Sequence, residues 1–139
     1  MPELPEVQTV INSIKNKLIN KKIIDYKIFY NEICYNDCSI SASEKIINKK
    51  IEAIERLGKN IIFILNDSYI VFHLRMTGYL YCTSDPVESK YLRYQIKISD
   101  NSYLNFEDIR KFGGFYYLNN LKTFKKKLGK DPLQKDFTF

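Results

Sequence analysis

Directly behind the initiator methionine the chain reads Pro2-Glu3-Leu4-Pro5-Glu6. Once Met1 is removed, Pro2 becomes a terminal secondary amine. An α-amino group has a pKa of about 8, far below that of lysine, so an appreciable fraction is unprotonated at neutral pH. Such an amine can attack an electrophilic sugar carbon and form an iminium, with Glu3 beside it as proton donor. The ordinary reading of the same residues is a helix start, in which prolines pre-set the backbone and Glu3 and Glu6 complement the helix dipole. Four more pieces carry chemistry-capable side chains: Arg56-Leu57-Gly58-Lys59, His73-Leu74-Arg75-Met76-Thr77-Gly78, Asp108-Ile109-Arg110-Lys111-Phe112-Gly113-Gly114 and Leu128-Gly129-Lys130-Asp131-Pro132-Leu133. Taken singly, Lys59 is a solvated turn lysine, Met76 a core filler, Arg110 and Lys111 a surface pair, and His73 a packed or hydrogen-bonded histidine.

The elements that must position these pieces follow from periodicity. Val7, Val10, Ile11, Ile14 and Leu18 recur at helical spacing and predict an N-terminal helix. Ile24, Tyr26, Ile28 and Tyr30 alternate as one face of a half-buried strand. A short helical stretch over 41–50 has Ser43 as a candidate cap. Strands are predicted over 51–57, 60–65, 69–74, 78–82, 91–98, 103–106 and 115–118. A Gly58-Lys59 corner joins the first two, and Asn66-Asp67-Ser68 supplies turn chemistry before the third. A short helix over 121–128 precedes the Gly129–Leu133 breaker. One helix followed by many short strands predicts a mainly β fold, a two-layer β-sandwich with a long N-terminal α-helix and shorter flanking helices.

Composition narrows the class. The chain has 139 residues, 22 Lys+Arg against 16 Asp+Glu, and a formal charge of +6. That length predicts a single domain with a real core. Hydrophobic content of 45% and aromatic content of 14% exclude a disordered tail. No apolar run approaches the ~18 residues of a spanning helix, so no membrane partner is expected. The acidic, proline-punctuated start is unlike a signal peptide. Three cysteines, an odd number, fit a reducing cytoplasm better than a disulfide framework. Basic charge raises the odds of an anionic partner, yet it equally reflects a lysine-, isoleucine- and asparagine-rich composition.

Together and in this order, MPELPEV, HLRMTG and the R-K-F-G-G segment make the chain resemble the N-terminal catalytic domain of the formamidopyrimidine-DNA glycosylase family and its endonuclease VIII-like relatives, over the whole of residues 1–139. The resemblance implies a bifunctional base-excision enzyme acting on double-stranded damaged DNA. Such an enzyme removes 8-oxoguanine and formamidopyrimidines through a Schiff base on the N-terminal proline, followed by β,δ-elimination. It implies Pro2 as nucleophile, Glu3 as the acid assisting ring opening, and Glu6 as site support. Lys59 would be the lysine reaching the DNA backbone near the lesion. Met76, Arg110 and Phe112 would be the side chains inserted into the duplex, with Lys111 beside them. A flipped nucleotide leaves a hole that Met and Phe can fill, while Arg can hydrogen-bond the orphaned base.

Two departures qualify the match. Where many members place a phosphate-contacting histidine, this chain reads Lys90-Tyr91-Leu92-Arg93, so Arg93 or Tyr91 is the expected substitute. The helix–two-turn–helix domain and four-cysteine zinc finger of the family have no counterpart in these residues. Cys34, Cys38 and Cys82 with His73 lack the paired spacing of a structural zinc site, so no metal and no cofactor is expected here. A monomer acting in the cytoplasm, at the nucleoid through DNA, completes the expectation. The rival expectation is a truncated, catalytically impaired DNA-binding or lesion-sensing module.

Overall fold

The computed structural model describes residues 4–30, 32–34, 39–111 and 113–119. Helix α1 (Leu4–Leu18) and helix α2 (Ser39–Ile46) accompany eight strands: β1 (Ile23–Ile28), β2 (Ile51–Leu57), β3 (Asn60–Leu65), β4 (Tyr69–His73), β5 (Gly78–Thr83), β6 (Leu92–Ile98), β7 (Tyr103–Asp108) and β8 (Gly114–Leu118). Two four-stranded antiparallel sheets, ordered β1-β6-β7-β5 and β2-β3-β4-β8, face one another. This is the β-sandwich with an N-terminal helix that the strand pattern predicts.

The apolar stripe of α1 is the predicted one: Val7, Ile11, Ile14 and Leu18 are fully buried and Val10 nearly so. The helix packs on β2 and β5, bridging the two sheets. It ends where Asn20 adopts φ 69°, a left-handed position that asparagine tolerates at a helix C-terminus. Between the sheets, Phe72 of β4 stacks on Phe106 of β7 at 5.9 Å and meets Phe63 edge-on at 5.2 Å. Phe115 of β8 stacks on Tyr94 of β6 at 5.0 Å. Large aromatic faces from both sheets thus make one continuous core.

Two local expectations change. In β1 the core-facing set begins with Ile23, while Ile24 is 37% exposed. The register shift between Ile23 and Asp25 explains this, because one extra residue at a bulge reverses which parity faces inward. The second helix starts at Ser39, and Ser43 lies inside it, fully buried, sharing a hydrogen bond with the Tyr94 hydroxyl. A buried polar partner, not an exposed backbone amide, claims that serine. Cys34 is buried and bridges to β8, whereas Cys82 is half-buried with its thiol pushed up to about 11 by burial. Cys38 and the helix expected over 121–128 lie outside the described residues. Among the described residues no helix is long and apolar enough to cross a membrane, and no group of His, Cys, Asp or Glu is placed to hold a metal ion.

Candidate functional site

Three connections and the start of α1 meet at one end of the sandwich. The tight β2–β3 corner turns through Gly58 at φ 64°, and Arg56 Nη1 donates to the Gly58 carbonyl at 3.1 Å. Lys59, half-exposed, sits on that corner. The other two connections are arches that step between sheets. Residues 74–77 run from β4 to β5, and residues 109–113 return from β7 to β8. Since β4 pairs with β8 and β5 with β7, the two arches lie side by side.

The first arch is shaped by its glycine. Gly78 N–H donates to the Leu74 carbonyl at 2.8 Å, and a Cβ at position 78 would stand 2.4 Å from that oxygen. Arg75 takes φ 58°. This fold-back buries Leu74 and leaves Met76 54% exposed, so the core-filler reading of Met76 does not hold. A cavity of about 420 Å³ opens between the arch and α1, lined by Glu6, Thr9, Met76, Thr77 and Tyr79 among others. Glu6 thus shares a cavity wall with Met76. Pro2, Glu3 and Phe112 lie outside the described residues, Pro2 standing two positions before the first residue of α1 and Phe112 between Lys111 and Gly113.

The second arch carries Arg110 and Lys111, both exposed, with Lys111 at φ 58° and its Nζ 5.2 Å from the Tyr30 ring centroid. Its anchor is Asp108, the last residue of β7 and 1% exposed. The Asp108 carboxyl group accepts from the Thr77 hydroxyl, from Arg110 N–H at 3.1 Å and from Gly113 N–H at 2.6 Å. Arg93, expected to reach a phosphate, is half-buried. Its Nε donates to the Asp108 carbonyl at 2.8 Å and its Nη1 to the Lys90 carbonyl at 3.3 Å. Tyr91 is half-buried, with Lys90 Nζ over its ring at 5.1 Å.

His73 is the packed, hydrogen-bonded histidine that its sequence context predicts, whereas Asp108 was not among the expected site residues. The imidazole Nδ1 of His73 accepts from Arg75 N–H at 3.3 Å. Burial, reinforced by the charges of Arg75 and Lys59, pushes its pKa down to about 4. Desolvation and like charge both disfavour the imidazolium. His73 therefore stays neutral in the folded chain between pH 6.5 and 4 while the unfolded chain takes up a proton. Its stabilising contribution is complete above pH 6.5 and is lost as pH falls toward 4. Urea unfolding midpoints across that interval should fall more steeply for the wild type than for His73→Gln, which can still accept the Arg75 N–H. Parallel pH profiles would refute the shift. Asp108 had a legible signal in part: Asp-x-Arg permits the side chain to bond the backbone two residues on.

An antiparallel sandwich whose N-terminal helix brings an acidic first turn to a cation-rimmed pair of inter-sheet arches is the domain architecture implied by the motifs. The N-terminal domain model of formamidopyrimidine-DNA glycosylase matches residues 1–115, and the chain belongs to that family. The formamidopyrimidine-DNA glycosylase of Protochlamydia amoebophila is 37% identical over 142 residues, covering 100% of this chain and 51% of that protein. The Mycoplasma genitalium protein of the same name is 34% identical over 144 residues, again covering 100% and 51%. Among solved structures, a complex between Lactococcus lactis Fpg and an abasic site containing DNA aligns with TM-score 0.84 and 27% identity, over 93% of this chain and 48% of that one. A complex of the same protein with a FAPY-dG containing DNA aligns with TM-score 0.83 and 28% identity, over 92% and 48%. The chain spans about half the length of these relatives.

Proposed function

We propose that this chain supplies the catalytic half of a base-excision DNA glycosylase and abasic-site lyase, acting as a cytoplasmic monomer on double-stranded DNA with oxidised purines. The observation that carries the reading is the convergence at one end of the sandwich. Glu6 at the start of α1, the exposed Met76, and the cations Lys59, Arg75, Arg110 and Lys111 all belong to connections meeting there. On this reading Pro2 is the nucleophile and Glu3 the acid. Met76, Arg110 and Phe112 fill the space left by the flipped nucleotide. On the same reading the cavity beside α1, lined by Glu6 and Met76 among others, would receive the everted nucleotide. The named complexes of Lactococcus lactis Fpg with abasic-site and FAPY-dG DNA support the same substrate class.

Energetics shape what the chain does by itself. Flipping a base out of a duplex costs a few kcal/mol, and the cations of one wall must hold the bent DNA. Phosphate contacts of this kind give affinities of roughly 10⁻⁴–10⁻⁶ M at physiological salt, and each phosphate neutralised contributes about −0.9 to the slope of log K against log salt. Lys59, Arg75 and Lys111 would together give a slope of about −2.7. Fluorescence anisotropy of duplexes titrated with the chain at several salt concentrations, with single-turnover excision and abasic-site cleavage, tests this. Weak, steeply salt-dependent binding, slow excision of 8-oxoguanine and measurable abasic-site cleavage are expected. Salt-independent binding with no cleavage of abasic DNA would overturn the proposal.

A further inference from the structure

Asp108 occupies a junction no other described side chain shares. It is buried at the end of β7, yet its two carboxyl oxygens serve both arches. One accepts from the Thr77 hydroxyl and from Arg110 N–H, the other from Gly113 N–H at 2.6 Å. Arg110 N–H also lies 3.3 Å from Thr77 Oγ1, so hydroxyl, amide and carboxyl close a small ring between the two loops. The main chain of Asp108 is held from the other side, its N–H donating to the Tyr91 carbonyl at 3.0 Å and its carbonyl accepting from Arg93 Nε at 2.8 Å. Gly113 is pressed close: a Cβ there would stand 2.8 Å from Phe106 Cζ, 2.9 Å from the His73 carbonyl and 3.0 Å from Asp108 Oδ2. Thr77 is the neighbour of Met76, and Arg110 and Gly113 flank Lys111 and Phe112. The exposed tips of both arches thus hang from one buried carboxyl group.

We propose that Asp108 is the positioning residue that holds Met76 on one arch and Arg110 on the other in a fixed mutual geometry before DNA arrives. This rests on the DNA reading above. Side chains inserted between base steps act against the cost of unstacking. Loops that had to be ordered during insertion would add a further cost, which a pre-formed tie removes. Asp108 touches no reacting atom and works through its neighbours, so its loss should show in recognition of a gap in the stack and not in general attraction to phosphates.

The test compares the wild-type chain with Asp108→Asn, Thr77→Val, Thr77→Ser and Leu80→Val. An asparagine amide cannot accept on both sides, so either the Arg110 N–H or the Gly113 N–H must lose its side-chain acceptor. Thr77→Val removes only the link between arches, Thr77→Ser keeps the hydroxyl, and Leu80→Val loosens the fully buried β5 core without touching either arch. The readouts are amide hydrogen exchange at Arg110 and Gly113 in the free chain, and the ratio of affinities for a duplex with an abasic-site analogue and an undamaged duplex. In Asp108→Asn, faster exchange and a drop of about tenfold in that ratio are expected, the size of one hydrogen bond to a charged group. Affinity for undamaged duplex and its salt slope should stay the same. Thr77→Val should lower the ratio, Thr77→Ser should restore it, and Leu80→Val should lower the melting temperature while leaving the ratio intact. If the wild type discriminates and both Asp108→Asn and Thr77→Val discriminate equally well, the positioning role is overturned. If the wild type holds both duplexes equally, the DNA reading fails and the role falls with it.

Discussion

Borohydride should trap the chain covalently on abasic-site DNA when Met1 has been removed, and trapping should fall to background when Met1 is retained or a tag precedes Pro2. The reason is the state of the nitrogen. At pH 7 about a tenth of an α-amino group with pKa near 8 is unprotonated, against less than ~0.1% of an ordinary lysine near 10.4. Only the neutral amine attacks the sugar aldehyde, and only an iminium is reduced to a stable bond. Pro2→Gly exposes a primary amine and should retain part of the trapping. Glu3→Gln should slow base excision more than cleavage at a preformed abasic site, because acid assistance serves the first step. Equal trapping by tagged and untagged chains would move the nucleophile to a lysine, Lys59 on its corner being the first suspect. Binding without any trapping would favour the rival lesion-sensing module.

Phe72→Ala should cost about 3–5 kcal/mol, the range for deleting a fully buried phenylalanine and leaving a cavity. Phe72 is 0% exposed and touches Phe63, Phe106 and Phe115, so little around it can collapse into the space. Against a domain stability of about 5–15 kcal/mol, that loss leaves a chain close to its unfolding threshold at 37 °C. Urea denaturation of wild type and variant gives the difference directly. A loss below ~1 kcal/mol would mean that the aromatic column between the sheets does not carry the core as its packing implies.

Much of this architecture was legible where information is local. The stripe of α1 repeats within a few residues, and the Gly58-Lys59 corner is written between two apolar runs. The site motifs were legible as motifs, since Met76, Arg110 and Lys59 sit on connections whose glycines mark them as turns. Four facts were not. The bulge between Ile23 and Asp25 leaves no composition signal, so alternation alone placed Ile24 inward. Ser43 resembled a cap because its partner, Tyr94, is 51 residues away. The tie between Thr77 and Asp108 spans 31 residues and needs the sheet order before it can exist. Arg93 reads as a free cation in a row of letters, and only the path of β7 puts the Asp108 carbonyl within its reach.

The arches also make the sandwich a gauge. Facing sheets lie about 10 Å apart, and residues 74–77 cross between them folded back on themselves, closed by the Gly78 N–H to Leu74 carbonyl bond and tied to Asp108 through Thr77. A closed, tied turn moves with the strands that hold it. A change in the spacing or tilt of the two sheets must therefore move the tips that carry Met76 and Arg110, even when every residue at the tips is untouched. Substitutions deep in the aromatic column, at Phe72 or Phe106, then act on the aim of those tips as well as on how long the fold survives. The aromatic column, more than the aliphatic positions around it such as Leu80, is in effect the spacer that calibrates the working edge of this domain.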